Sequence, residues 1–289
     1  MIKTICVAGA GTMGCGIALV AAQSGFNTVV FDVNENVLEK SATAIQNNIH
    51  YLVDKKKITA AEGAIIFNRI QLVGDANKCI ADLFIEAIIE KMDAKIALFN
   101  QFASFNDAGS ILASNTSSLS VSTIQSAIVY PERVIGMHFF NPAPVMKLVE
   151  VVKGKKTSEA TAQTIDELCK IMGKIPVHCN DAPGFIVNRI ARHYYLEAMK
   201  IVESGIATIE NVDAVMEASG FKMGPFKLMD IIGMDINLAV SKSLYDAFNH
   251  TERFAPAGLQ EEKVAKGELG RKTGKGFYNY PPAARGSSL

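Results

Sequence analysis

Short apolar runs alternate with longer amphipathic stretches as far as residue 180, and the pattern then changes. The apolar runs are Met1 to Ala8, Asn27 to Asp32, Ile70 to Val73, Leu83 to Ile88, Ile111 to Ser114, Arg133 to Phe140, Lys147 to Val152 and Ile175 to Cys179. Their shortness and β-branched content predict strands. Between many of them, Glu35 to Val53, Met92 to Phe105 and Ser158 to Met172 read as helices. Such alternation predicts an α/β fold with a doubly wound, mainly parallel sheet. Asn180-Asp-Ala-Pro-Gly184 is a cluster of turn residues that interrupts the pattern. Beyond it only helices are expected: Phe185 to Glu203, Thr208 to Ala218 with a Thr cap and Glu210 in its first turn, and one long helix from Phe226 to Phe248. The first and last of these read as apolar over most of their circumference, which calls for burial in a core or against a partner. Two domains are therefore expected, residues 1–182 and an all-helical 183–289, the second with apolar surface suited to a homodimer.

The first strand runs into Gly9-Ala-Gly-Thr-Met-Gly14, a G-x-G-x-x-G turn that opens an apolar helix near Thr12. Gly9 permits the tight turn, Gly11 lets a pyrophosphate approach the backbone, and Gly14 lets the helix pack closely on the sheet. Backbone N–H groups at Thr12 and Met13 then point at the phosphates. Asp32 closes the second strand, where a carboxylate binds the adenine ribose hydroxyls and repels a 2′-phosphate. Val33, Asn34 and Glu35 follow, with no Arg to hold that phosphate, so NAD is favoured over NADP. The alternative is a glycine-rich turn with no ligand. Strand, turn, helix and acid in this order favour a Rossmann-type dinucleotide site.

Composition narrows the rest. The 289 residues are 49% hydrophobic and 20% charged, ample for a globular core. Lys+Arg and Asp+Glu both number 29, which argues against nucleic acid or an anionic membrane as the main partner. No apolar run has the length of a bilayer span, and the first strand begins too early to leave room for a leader peptide. The five cysteines are scattered without a C-x-x-C pair, so neither zinc nor a disulfide framework is indicated, and reduced thiols in a cytoplasm are expected. The tail from Pro281 to Leu289 reads as unstructured, and its Ser-Ser-Leu end misses the peroxisomal Ser-Lys-Leu address.

Of the five histidines, His50, His178, His193 and His250 have ordinary settings. His138 ends an apolar run just before Asn141-Pro-Ala-Pro144, where strand ends line the ligand crevice of a doubly wound sheet. The next run carries Glu150 among apolar residues. Positions 138 and 150 are symmetric about 144, so a hairpin turning at Pro144 sets them opposite, with Cβ atoms about 4.5–5.5 Å apart. A carboxylate there fixes the ring tautomer and stabilises the imidazolium of a general base. The same spacing serves a structural ion pair equally well. Asn115 and Ser117 follow the Ile111 strand at its carboxyl end, although the serine run also suits a helix cap. Asn188 sits in the first helix after the breaker, where it reads equally as an interface amide.

These segments together resemble the L-3-hydroxyacyl-CoA dehydrogenases, and among them the short bacterial 3-hydroxybutyryl-CoA dehydrogenases. The resemblance rests on Gly9 to Gly14, Glu86-Ala-Ile-Ile-Glu90 with Lys95, Ser114-Asn-Thr-Ser-Ser118, His138-Phe-Phe-Asn-Pro142, Val149-Glu-Val-Val152, Asp181-Ala-Pro-Gly-Phe-Ile-Val-Asn-Arg189, Met223-Gly-Pro-Phe226 and Lys272-Thr-Gly-Lys-Gly-Phe-Tyr278. They cover nearly the whole chain in order. The resemblance implies His138 as general base with Glu150 as partner. It implies Ser117 and Asn188 at the substrate, and Glu90, Lys95, Asn115, Asn141 and Lys272 at NAD. It also places a CoA tail along the helix after the second strand, where Lys55 and Lys56 can meet phosphates; a solvated charge run reads almost as well. The implied reaction interconverts (S)-3-hydroxybutyryl-CoA and acetoacetyl-CoA, with a broader chain-length range as the alternative. Three rivals remain at this point. A short-chain dehydrogenase would use Tyr51 and Lys55 as a Tyr-x-x-x-Lys pair, although they fall in a polar helix away from the expected crevice. A hydroxyacid dehydrogenase on a similar scaffold would act on free acids. An NAD-binding sensor would turn nothing over.

Overall fold

A computed structural model describes residues 2–281, among which are eight short strands and eleven α-helices; the tail from residue 282 lies outside the described residues. The chain divides into two compact units, Met1–Ala182 and Pro183–Leu289.

In the first unit the strands are β1 (Thr4–Ala8), β2 (Asn27–Phe31), β3 (Ile70–Val73), β4 (Leu83–Glu86), β5 (Ile111–Ser114), β6 (Val134–Phe139), β7 (Leu148–Lys153) and β8 (Ile175–Asn180). The helices are α1 (Thr12–Gln23), α2 (Glu35–Asp54), α3 (Ala60–Asn68), α4 (Met92–Phe105), α5 (Val121–Ser126) and α6 (Glu159–Ile171). The strands form one sheet in the order β3-β2-β1-β4-β5-β6-β7-β8. Every neighbouring pair is parallel except β6 and β7. The strand order reverses beside β1, and the carboxyl ends of β1, β4, β5 and β6 share one edge. That edge, at the switch point, is where doubly wound sheets bind ligands. The central strands are buried on both faces, which explains their unbroken apolar runs. Each large side chain buried in this core, such as Phe84 on β4 or Phe99 and Phe102 on α4, contributes about 1.5–3 kcal/mol.

Differences from the expected elements have local causes. The run from Leu83 ends as a strand at Glu86, whose carboxylate accepts a hydrogen bond from the Ile88 N–H at 2.8 Å and turns the chain. Helix α3 was not expected, whereas α5 follows the other reading of the serine run, with Ser120 as its N-cap. Helix α3 is announced by a capping box, Thr59 with Glu62.

The second unit is helical: α7 (Val187–Glu203), α8 (Ile209–Ala218), α9 (Pro225–Ile232), α10 (Met234–Ala247) and the unexpected α11 (Gly258–Ala265). The expected single helix from Phe226 to Phe248 is two, because Gly233 sits at φ 100° and breaks the ladder between α9 and α10. α7 begins only at Val187, after Phe185 at φ 47°. It is amphipathic rather than apolar nearly all round: Leu196 and Met199 enter the core, whereas Ile190 is 69% exposed. Two buried carboxylates organise this unit. Asp213 accepts the Phe226 and Lys227 N–H groups at the start of α9, together with the Tyr278 hydroxyl. Asp230 accepts the Phe277 and Tyr278 N–H groups and the Tyr280 hydroxyl. Gly276 must lack a side chain here, since a Cβ would lie 2.1 Å from Asp230 Oδ1. Burial, then the Asp230 charge, pushes the Tyr280 phenol up to about 12. The Lys272–Tyr278 motif is thereby pinned to the second unit.

Candidate active site

The glycine-rich turn between β1 and α1 is shaped by contact. Gly9 has φ 100°, and a Cβ on it would lie 2.5 Å from the Ala87 carbonyl oxygen. A Cβ on Gly14 would lie 1.7 Å from the Gly9 carbonyl oxygen, so α1 reaches the sheet only because that atom is missing. At Gly11 a Cβ would meet nothing within 4 Å, so the bare backbone faces open space. Thr12 and Met13 supply the next N–H groups, in the first turn of α1. Asp32, one residue beyond β2, accepts the Ala10 N–H at 3.0 Å and the Asn34 N–H at 3.0 Å. Its carboxylate stays beside a cleft of about 680 Å³ that Gly9, Gly11, Val33, Ala87 and Leu98 help to line. A turn open at Gly11, a helix N-terminus and a fixed carboxylate on one apolar cleft fit a dinucleotide with free ribose hydroxyls.

A second cluster lies at the ends of β4 and β5. Lys95 is 1% exposed, and its ammonium is 2.5 Å from Glu86 and 3.1 Å from Glu90. Glu90 accepts the Thr116 hydroxyl at 2.5 Å and the Ser117 N–H at 2.9 Å, with the Ser117 hydroxyl at 3.4 Å. Burial raises the Glu86 carboxyl, and Lys95 offsets this only in part. Burial also works to raise Glu90, but Lys95, Thr116 and Ser117 outweigh it and hold that carboxyl low. The Lys95 charge is thus consumed inside the protein, and Glu90 carries its effect to the Ser117 loop. Asn115 lies beside this cluster and accepts the Phe139 N–H at 2.8 Å, which ties the end of β5 to β6.

β6 and β7 pair antiparallel with His138 opposite Glu150. His138 Nδ1 lies 2.7 Å from Glu150 Oε2, and the residues are 6% and 1% exposed. The turn between them begins at exposed Asn141, whose bond to Pro142 is cis. Geometry and burial therefore bring together an imidazole and a carboxylate on the ligand edge of the sheet. Such a pair can take up and return one proton.

Other expected residues stand elsewhere. Lys55 and Lys56 follow the end of α2 and are exposed, with Lys55 Nζ 5.7 Å over the Tyr51 ring. Tyr51 and Lys55 thus lie together on the solvent side of α2 rather than in the crevice. Asn188 is the second residue of α7. Lys272 is held by both oxygens of Asp235, at 2.5 and 2.6 Å. Among the other histidines, His178 pairs with Asp166 at 2.8 Å and His193 with Arg253 at 2.7 Å. Residue-by-residue reading singled out neither Glu86 nor Ser41, whose hydroxyl is 2.6 Å from the Ala10 carbonyl in the glycine turn. The signal for Glu86 was an acid closing the buried run Leu83-Phe-Ile.

Among the described residues no helix is long and apolar enough to cross a membrane, and no group of three His, Cys, Asp or Glu residues is arranged to hold a metal ion.

Comparison with known proteins agrees with this architecture. Residues 4–182 match the family described as 3-hydroxyacyl-CoA dehydrogenase, NAD binding domain, and residues 184–280 match 3-hydroxyacyl-CoA dehydrogenase, C-terminal domain. A protein of Escherichia coli K12 named 3-hydroxyadipyl-CoA dehydrogenase is 43% identical over 96% of this chain; the chain spans only 59% of that longer relative. A Bacillus subtilis protein named probable 3-hydroxybutyryl-CoA dehydrogenase is 41% identical, with 96% of this chain and 98% of the relative covered. The crystal structure of (S)-3-hydroxybutyryl-CoA dehydrogenase from Ralstonia eutropha superimposes with a TM-score of 0.92 at 38% identity, covering 97% of this chain and 100% of that one. The glycine cradle, the acid after β2 and the matches across both units have one meaning: this chain belongs to the NAD-binding 3-hydroxyacyl-CoA dehydrogenase family.

Proposed function

We propose that the protein interconverts (S)-3-hydroxybutyryl-CoA and acetoacetyl-CoA, with His138 as general acid/base. The observation that carries this reading is the buried 2.7 Å contact between His138 Nδ1 and Glu150 on the ligand edge of the sheet. Glu150 holds the Nδ1 proton and so makes Nε2 the basic atom of the neutral ring. That nitrogen removes the proton of the 3-hydroxyl during oxidation and returns it to the forming alkoxide during reduction. Bound NAD supplies the hydride acceptor. The backbone at Gly9, Gly11, Thr12, Met13 and Gly14 would hold its phosphates, and Asp32 its ribose. Glu90, held by Lys95, orients the loop carrying Ser117. Asn115 and Asn141 would flank the nicotinamide end, and Lys272 is assigned to the cofactor on resemblance alone. Ser117 and Asn188 would bind the 3-oxygen and thioester region, and Lys55 and Lys56 the CoA phosphates.

In this reading residues 1–182 are the NAD-binding domain and residues 183–289 a helical substrate and dimerisation domain. Exposed Ile190, Ile206, Val215 and Phe221 in the second unit support the dimer. The free cysteines fit a cytoplasmic setting.

The test is NADH absorbance with acetoacetyl-CoA, with longer 3-ketoacyl-CoAs, with free acetoacetate and with NADPH in place of NADH. Oxidation of NADH with acetoacetyl-CoA, yielding the (S) product on reduction, is expected. Activity on free acids alone, or none at all, would contradict the proposal. Preference for a dicarboxylic chain would move the substrate toward that named for the E. coli relative, and preference for a long chain toward the broader-range alternative.

A further inference from the structure

The residue after the α6 turn, Lys174, is 7% exposed and points its ammonium back into the β6–β7 turn. Its Nζ donates to the carbonyl of Ala143 at 2.5 Å and to that of Met146 at 2.8 Å. Burial holds its ammonium below the ordinary lysine range. Burying a cation is costly unless hydrogen bonds offset it, and charge-assisted bonds to carbonyls are short and directional. The segment it grips joins His138 to Glu150 and includes Asn141. Within that turn the Val145 and Met146 N–H groups both donate to the Pro142 carbonyl, at 3.0 and 2.9 Å. The Ile175 N–H, next in sequence to Lys174, donates to the Lys147 carbonyl at 2.8 Å. The turn also packs on α1, where a Cβ at Gly16 would lie 3.2 Å from both Ala143 Cβ and Pro144 Cδ. The turn is therefore held by two contacts, the helix that follows the glycine cradle and one buried ammonium.

We propose that Lys174 is a positioning residue, whose ammonium holds the 141–147 turn so that the His138–Glu150 hairpin keeps its place relative to the cofactor cradle. Its ammonium contacts are the two carbonyls of the turn, so it acts through the hairpin. The inference rests on the His138 reading above.

Lys174→Met keeps the length of the side chain and removes its donors. It is expected to lower kcat about tenfold or more, the scale set by a small misplacement of a reacting group. The Val145 and Met146 amides should exchange with deuterium faster than in the parent. The Kd for NADH, read from fluorescence, should change several-fold less than kcat, because the Gly9–Gly14 turn and Asp32 are untouched and only Asn141 of the proposed NAD contacts lies in the loosened turn. A Met variant that folds and retains kcat, or retains protection of the turn, overturns the inference. Should Lys174→Met fail to fold, Lys174→Arg decides. Arginine can reach the same carbonyls, so a variant that keeps both kcat and turn protection, or loses both, supports the role, and one without the other overturns it. The parent is assayed first with acetoacetyl-CoA. An inactive parent defeats the proposed function, whereas an active parent beside an equally active Met variant defeats only the role of Lys174.

Discussion

Glu150 Oε2 meets His138 Nδ1 at 2.7 Å across the single antiparallel pairing of the sheet, with both side chains buried. A carboxylate so placed selects one tautomer and offsets the charge that the ring acquires when it takes a proton. Glu150→Gln keeps the shape and removes the charge. The expected result is a fall in kcat of about a hundredfold, with NADH affinity nearly unchanged. Steady-state kinetics beside NADH fluorescence titration checks it; equal loss of both would assign the pair to the fold alone.

Two glycines of the cradle should respond in opposite ways. Gly14→Ala puts a Cβ 1.7 Å from the Gly9 carbonyl oxygen and should cost about 3 kcal/mol or more of stability. Gly11→Ala meets nothing within 4 Å, so Tm should hold. Its NADH affinity should nevertheless fall about tenfold, or 1.4 kcal/mol, if the phosphates lie on that backbone. Thermal melts and NADH titrations of both variants separate the two roles.

Lys95 and Glu86 form an ion pair with side chains 1% and 0% exposed. Removing one partner strands the other in a poorly solvated site. Lys95→Met is expected to destabilise the first unit by about 3–5 kcal/mol in urea denaturation. A change under about 1 kcal/mol would mean that Glu86 takes up a proton at little cost.

In the second unit Glu268 bridges Lys263 and Lys275, each at 2.6 Å, and these hydrogen bonds hold its carboxyl down to about 2. An unfolded glutamate titrates near about 4.3. The folded value is the lower one, so the contribution is present above pH ~4.3 and is lost as pH falls from there toward ~2. Glu268→Gln should therefore lower Tm at neutral pH, and the difference from the parent should shrink through that acid window. A difference that is constant with pH would refute the assignment.

Legibility in the sequence followed the range of the interaction. The hairpin pair could be read because a turn centred between two residues fixes their register, and register in turn fixes which side chains meet. The glycine cradle could be read because each glycine answers a steric demand within one turn. The enclosure of three other charges could not. Glu86, Lys95 and Lys174 look like any surface charges in the sequence, and only the packing of distant strands shows that each is enclosed. The break at Gly233 was missed because the apolar spacing continues across it, and one glycine is tolerated in many helices. α3 carried a signal, Thr59 followed by Glu62, that an eye on apolar runs passes over.

The central claim is that the His138 imidazole carries the proton. Its most direct test is His138→Asn, compared with the parent for NADH consumption with acetoacetyl-CoA while NADH binding is followed by fluorescence. The account predicts a rate lower by about 10²–10⁴-fold with NADH still bound as in the parent. A rate near that of the parent would contradict it.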